Sequence, residues 1–215
     1  MKIAIVGANG KIGSRISAEA IGRGHSVTGI ARNPEAGIKN ENIKWVKADA
    51  LDSDSLASAI KGHDALISAF GIDWSRPETY PLFVDVSISE IAALKRAGIK
   101  RMIVVGGAGS LEVAPGKQLV DTPQFPEEWR AGANEQRKSL EVFRKENDLD
   151  WTFFSPAIII EPGPRTGRFR LGKDNPVFDE KGNSIISYDD YAIALIDELE
   201  NPQFIRQRFT IGYER

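Results

Sequence analysis

The chain has 215 residues, the length of one large domain, with no cysteine, two histidines, and 28 basic against 30 acidic side chains. Without cysteine there are no disulfides, thiol nucleophiles or thiolate-bound metals, and two histidines are too few for a histidine-rich metal site. A net charge of −2 argues against nucleic acid or an anionic membrane as a general partner.

The first segment, MKIAIVGANG, ends in glycines rather than in a cleavable apolar core. No apolar run reaches the ~20 residues that span a bilayer, so the expected location is cytoplasmic. From there, apolar strands alternate with helix-length segments, the pattern of a parallel α/β sheet. The pattern predicts a strand over 2–6, a helix over 11–23, strands over 26–31 and 43–47, a helix over 53–61, and a strand over 65–69. A helix over 81–97, a strand over 101–105, a helix over 126–147 and a strand over 151–155 follow. Ile12, Ile16, Ala20 and Ile21 recur at helical spacing and should face the sheet. The alternating IKWVK of the third strand points to an edge. Asp52 or Ser53 can cap the second helix and Gly98 can end the third.

After Ser155 the rhythm changes to a turn-rich EPGPRTG, short strand-like pieces over 168–171 and 184–187, a helix over 188–199 capped by Ser187, and a strand over 208–212. This part is too small for its own core and is expected to pack on the carboxyl end of the sheet. The whole chain then reads as one domain, a dinucleotide-binding core over 1–155 with substrate-side elements over 156–215. The irregular stretch 106–124 is long for a connection and reads as a candidate lid.

Gly7-Ala8-Asn9-Gly10-Lys11-Ile12-Gly13 joins the first strand to the first helix with GxxGxxG spacing. Gly7 suits a tight turn, Gly10 allows backbone to approach a diphosphate, and Gly13 allows close helix–strand packing. The helix N-terminus then offers N–H groups and a positive dipole end, with Asn9 as an added donor. The loop is no Walker A site, because Lys11 is followed by Ile12.

An NAD site usually carries an acidic residue at the end of the second strand, about 20 residues past the loop. Here the segment reads Ala31-Arg32-Asn33-Pro34, with no carboxylate before Glu35. The Arg32 guanidinium suits a 2′-phosphate, so NADP is favoured and NAD stays open; a solvated strand-end charge is the plain alternative. Asp49 can accept from an adenine amino group or serve as a turn carboxylate, and Ala69-Phe70-Gly71 would pass the nicotinamide ribose.

The segments GANGKIG, Ala31-Arg32-Asn33 and KADALD (47–52) together resemble the atypical short-chain dehydrogenase/reductase superfamily. VVGGAGSL (104–111), DWTFFSPA (150–157), ISYDDYA (186–192) and FTIG (209–212) resemble its NADH-flavin reductase group, related to the biliverdin-IXβ (flavin) reductases. The resemblance implies a Rossmann-type, doubly wound parallel sheet with a small C-terminal substrate-binding region packed on it. By position it places Gly7, Asn9, Gly10, Lys11, Ile12, Arg32, Asp49, Ala69, Phe70 and Gly71 along the cofactor, with Gly106 and Pro156 flanking the nicotinamide. It also puts Ser110 near the usual catalytic serine, where it is the catalytic candidate; a turn or capping serine is the alternative.

One departure stands out. Most of the superfamily carries a YxxxK acid/base pair, but none of Tyr80, Tyr188, Tyr191 and Tyr213 has a lysine four residues on. Where the pair belongs the chain has Asn134 and Lys138, and an amide has no proton to give near neutral pH. That favours hydride transfer to a planar acceptor, flavin or quinone-like, which needs orientation more than a positioned acid. The alternative is a non-catalytic NADP(H) sensor, and a third reading is an enzyme of the sugar-nucleotide epimerase or dehydratase kind. Trp74, Phe83, Trp129 and Phe169 are candidates to stack on an acceptor. His25 and His63 read as structural, and oligomeric state is open.

Overall fold

The computed structural model describes residues 1–34 and 42–214. In chain order the elements are β1 (Lys2–Val6), α1 (Lys11–Gly22), β2 (Ser26–Ala31), β3 (Ile43–Lys47), α2 (Ser53–Ile60), β4 (Ala65–Ser68), α3 (Leu82–Ala97) and β5 (Arg101–Val105). A small hairpin of β6 (Glu112–Ala114) and β7 (Lys117–Gln118) precedes α4 (Glu127–Arg144) and β8 (Asp150–Phe154). The chain finishes with β9 (Ile159–Glu161), β10 (Arg170–Gly172), β11 (Ile185–Ser187), α5 (Tyr188–Glu200) and β12 (Gln207–Gly212).

Eight strands form one sheet in the order β10-β12-β8-β5-β4-β1-β2-β3, parallel except for β10, which runs antiparallel to β12. β3 is an edge strand, as its alternating pattern implied. Successive side chains point to opposite faces, and both faces are covered. Ile3 and Ile5 join a cluster with Ile16 and Ala20 of α1 and Leu195 and Ile196 of α5. Ala4 and Val6 join the other, with Leu56 of α2, Leu94 of α3 and Phe143 of α4. Ile12 and Ile21 are only partly buried, at the margins of the α1 face.

Local chemistry sets the helix ends. Asp52 Oδ1 accepts from Asp54 N at 3.0 Å and Ser55 N at 3.1 Å, which caps α2. Gly98 adopts φ 71°, a left-handed conformation that glycine tolerates, and ends α3. Ser187 Oγ accepts from Asp190 N at 3.0 Å and caps α5.

The C-terminal part departs from expectation. It does not stack on the carboxyl end of the sheet: β12 enters the sheet beside β8, and α5 lies against α1 across one face. The reason is apolar. Phe209 and Ile211 of β12 and the inner face of α5 complete the cluster that Ile3 and Ile5 begin. Only the two-stranded β9–β11 ribbon continues from the end of β8. The stretch 106–124 is also more built than a free lid. It contains two single 3₁₀ turns and the β6–β7 hairpin, buries Leu111 and Val120, and donates Glu112 N to Asp174 O at 2.7 Å.

Candidate nucleotide-binding site

Because β1, β2, β3, β4, β5 and β8 run parallel, the residues that follow them emerge along one edge. β1 pairs with both β2 and β4, so the winding reverses there and opens a crevice. Read from β3 to β8, that edge presents Asp49, Arg32, the Gly7–Ile12 loop, Ala69–Gly71, Gly106 and Pro156. Six strands at ~4.8 Å spacing make this row about 24 Å long.

At the crevice Gly7 has φ 76°, and a Cβ on it would collide with the Ala69 carbonyl oxygen. A Cβ on Gly13 would collide with the Gly7 carbonyl, so these two glycines let loop, helix and neighbouring strand close up. Gly10 N donates to Gly7 O at 2.9 Å, and Gly10 is the extended residue immediately before α1. No side chain caps this helix and its first turn has no acidic residue, so its positive end is left for an anion. Asn9 and Lys11 are exposed beside it, whereas Ile12 packs partly into the core.

Arg32 is exposed and makes no ion pair with a described residue; Glu35 lies outside the described residues. Asp49 Oδ1 accepts from Leu51 N at 3.0 Å, so it already serves a turn. Ala69 N donates to Val6 O at 2.9 Å, Phe70 meets Phe83 edge-on at 6.1 Å, and Gly71 has open space where a side chain would be. A Cβ on Gly106 would strike the Phe153 ring, and Pro156 is buried with its carbonyl accepting from Thr210 Oγ1 at 3.2 Å.

These features are those of a dinucleotide site, and residues 7–202 match the family model described as NAD(P)H-binding. The chain belongs to this NAD(P)H-binding family. Three solved structures resemble it along their whole length. A Burkholderia pseudomallei protein, provisionally named an exported protein, is 49% identical with TM-score 0.91, covering 99% of this chain and 100% of that one. A Bacteroides thetaiotaomicron protein, provisionally named an epimerase, is 45% identical with TM-score 0.90, covering 100% and 97%. A Streptococcus pneumoniae protein, provisionally named an NADH-flavin reductase, is 39% identical with TM-score 0.87, covering 100% of both chains. No helix among the described residues is long and apolar enough to cross a membrane.

In this NAD(P)H-binding protein, Ser110 is buried at 3% exposure, and its Oγ and carbonyl oxygen receive Arg208 Nη1 at 3.3 and 3.1 Å. Arg208, itself buried, is held by Asp174 Oδ1 at 2.6 and 2.9 Å. This arrangement ties the GGAGSL turn to β12. On α4, Lys138 faces solvent and pairs with Glu135 at 2.5 Å. The Asn134 Oδ1 is buried without a partner. Tyr80 donates to Trp74 O at 2.9 Å, Tyr191 to Phe154 O at 2.6 Å and Tyr213 to Asp190 at 2.7 Å, which engages three of the four phenols elsewhere. Trp74 is 41% exposed on the segment after β4, lies 5.8 Å from Tyr80 and crosses Gly132 of α4. Trp129 is exposed, whereas Phe83 is buried and Phe169 packs partly into the core. His63 bridges Ile60 O and Thr28 Oγ1, both at 2.8 Å, and His25 meets Glu200 at 2.7 Å; both are structural.

Sequence reasoning missed Glu90. Ser68 follows Leu66 on the same face of β4 and meets α3, where Glu90 is 1% exposed with Oε1 unpartnered. Burial pushes its carboxyl up to about 8, against a hydrogen bond from Ser68 that lowers it. A cavity of about 20 Å³ runs from this carboxyl to Gly106 and Phe70. Inside an amphipathic helix a glutamate reads as a solvated residue, so only the packing of α3 on β4 discloses it.

Proposed function

We propose that the chain is an NADPH-dependent reductase of a planar acceptor, flavin or quinone-like. The observation that supports it most is the position of the missing acid/base pair: an amide at Asn134 and a solvent-facing Lys138. An alcohol or isolated ketone needs a positioned acid/base worth ~10²–10⁴ in rate, and a conjugated acceptor delocalises the incoming charge instead. When bound, NADPH supplies a hydride to an acceptor ring lying against it.

The chain's own residues orient and shelter this pair. The uncapped start of α1 and the Gly7–Gly10 turn hold the diphosphate, and Arg32 takes the 2′-phosphate through its guanidinium fork. Asp49 meets the adenine amino group, while Ala69, Phe70, Gly71, Gly106 and Pro156 bound the nicotinamide end. Trp74 offers an exposed ring face to the acceptor. Ser110 acts by anchoring the loop next to Gly106 rather than by touching the acceptor.

Purified protein with NADPH and excess flavin mononucleotide or a soluble quinone should consume NADPH with saturation in both. No turnover above a protein-free control across both acceptor classes overturns the reading. The same absence of a pair favours a second one, a sensor of NADP(H). Such a protein binds NADP⁺ and NADPH by calorimetry but shows no turnover.

A further inference from the structure

Reduction of a planar acceptor by hydride leaves the acceptor one proton short. We infer that Glu90 supplies that proton, through a water in the cavity that joins its carboxyl to the acceptor side of Gly106 and Phe70. The inference rests on the reductase reading above.

Three observations carry it. The carboxyl is 1% exposed and its Oε1 has no partner, a costly state for a buried oxygen unless something in the cavity bonds to it. The cavity, about 20 Å³, has room for one water. Its walls supply the polar partners a water needs: Ser87 and Ser139, whose Oγ atoms lie 2.7 Å apart, Ser68, and Gln136. Gln136 also closes on Gly107, where a Cβ would strike its Oε1. The cavity therefore ends among the residues next to the nicotinamide position, at Gly106 and Phe70.

No residue lining the cavity from β4, β5, β8 or α4 is charged, so no cation there stabilises the Glu90 carboxylate, and only the Ser68 hydrogen bond opposes the effect of burial. Burial keeps its proton on at neutral pH, with a midpoint near 8. The proton step balances simply. The Glu90 O–H bond breaks, the cavity water accepts that proton and passes one of its own to the anionic atom of the reduced acceptor, and solvent later returns a proton to the carboxylate. Bound NADPH supplies the two electrons and the hydrogen that moves with them.

Two readouts test this, one without turnover. In the protein alone, infrared difference spectra across a pH series should show a buried carboxylic-acid carbonyl band that disappears near pH 8 and is absent in Glu90→Gln. In turnover, Glu90→Gln should lower the rate roughly 10²-fold at pH 7 and remove its fall at alkaline pH, with the NADPH Kd unchanged. Ser68→Ala, which removes the hydrogen bond that lowers the midpoint, should move both the band and the alkaline limb to higher pH. Turnover in Glu90→Gln with the wild-type rate and pH profile overturns the assignment, as does a wild-type protein with no such band. Wild-type protein that shows the band but reduces neither flavin nor quinone removes the reductase reading, and the donor role with it.

Discussion

A methyl group on Gly13 would strike the Gly7 carbonyl and one on Gly7 would strike the Ala69 carbonyl, so the start of α1, its loop and the end of β4 pack backbone against backbone. At the end of the neighbouring strand β2, Arg32 stands exposed without an ion-pair partner among the described residues. With no ion pair to a described residue that would have to break, the guanidinium at the end of β2 takes a phosphate at lower cost. Replacing Arg32 by Ala should therefore weaken NADPH by about 1.5–3 kcal/mol, the worth of a charge-assisted hydrogen-bonded contact, and leave NADH nearly unchanged. Fluorescence titration of both nucleotides against wild type and variant measures it. Equal losses for the two cofactors show that Arg32 does not read the 2′-phosphate.

At the level of elements, the start of α5 shows how one carboxylate organises a loop. Asp190 is fully buried and accepts from Thr166 N and Gly167 N, each at 2.8 Å, from Thr166 Oγ1 at 2.6 Å and from Tyr213 Oη at 2.7 Å. Burial alone raises its pKa, but the hydrogen bonds from Thr166, Gly167 and Tyr213 outweigh it and hold the carboxyl below its ordinary 3.8. A carboxylate depressed in the fold contributes stability that is present above the unfolded value and is lost as pH falls through the folded one. Asp190→Asn should cost roughly 1–3 kcal/mol at pH 7, since donors lose their acceptor, and the gap to wild type should close as the pH falls below about 3.8. Urea midpoints measured from pH 7 to pH 2.5 give the answer; a gap constant across that range contradicts the role.

The same scale shows what a sequence carries. The core strands and helices are periodic, so alternation and glycine spacing located them to within a residue or a turn, and the glycine loop was readable because close backbone approach admits few residue types. The sequence pattern predicts α4 to residue 147, whereas it ends at Arg144, beyond which Glu146 turns back to accept from Asp148 N at 2.6 Å. The Arg208–Ser110 link spans 98 positions and Ser68–Glu90 joins a strand to a helix. Neither leaves a periodic trace, since partners set by tertiary packing are coded in no local pattern.

For the molecule as a whole, the question is whether the C-terminal elements belong to the same cooperative unit as the nucleotide loop. A column of four rings argues that they do. Tyr191 of α5, Phe154 of β8, Phe209 of β12 and Phe204 stack nearly parallel, with centroids 4.0, 3.9 and 4.5 Å apart in turn. At the opposite end of β8 the buried Arg101–Glu198 pair, 3.0 Å, and Thr152 bind β5, β8 and α5 together. Removing one partner of such a pair leaves an uncompensated buried charge, so β12 and α5 cannot separate from the sheet at low cost. If opening of β12 requires global unfolding, a ligand bound at the other side of the sheet must protect it. Saturation with NADPH at 100 times its Kd stabilises the native state by ~2.7 kcal/mol, which is roughly a hundredfold slower exchange for every amide that exchanges only by global unfolding. Amides of Phe209 and Ile211 should therefore slow by the same factor as those of Ile3 and Ile5, as read by hydrogen exchange with and without nucleotide. Slowing confined to β1 and its neighbours means that residues 156–215 open as a unit of their own.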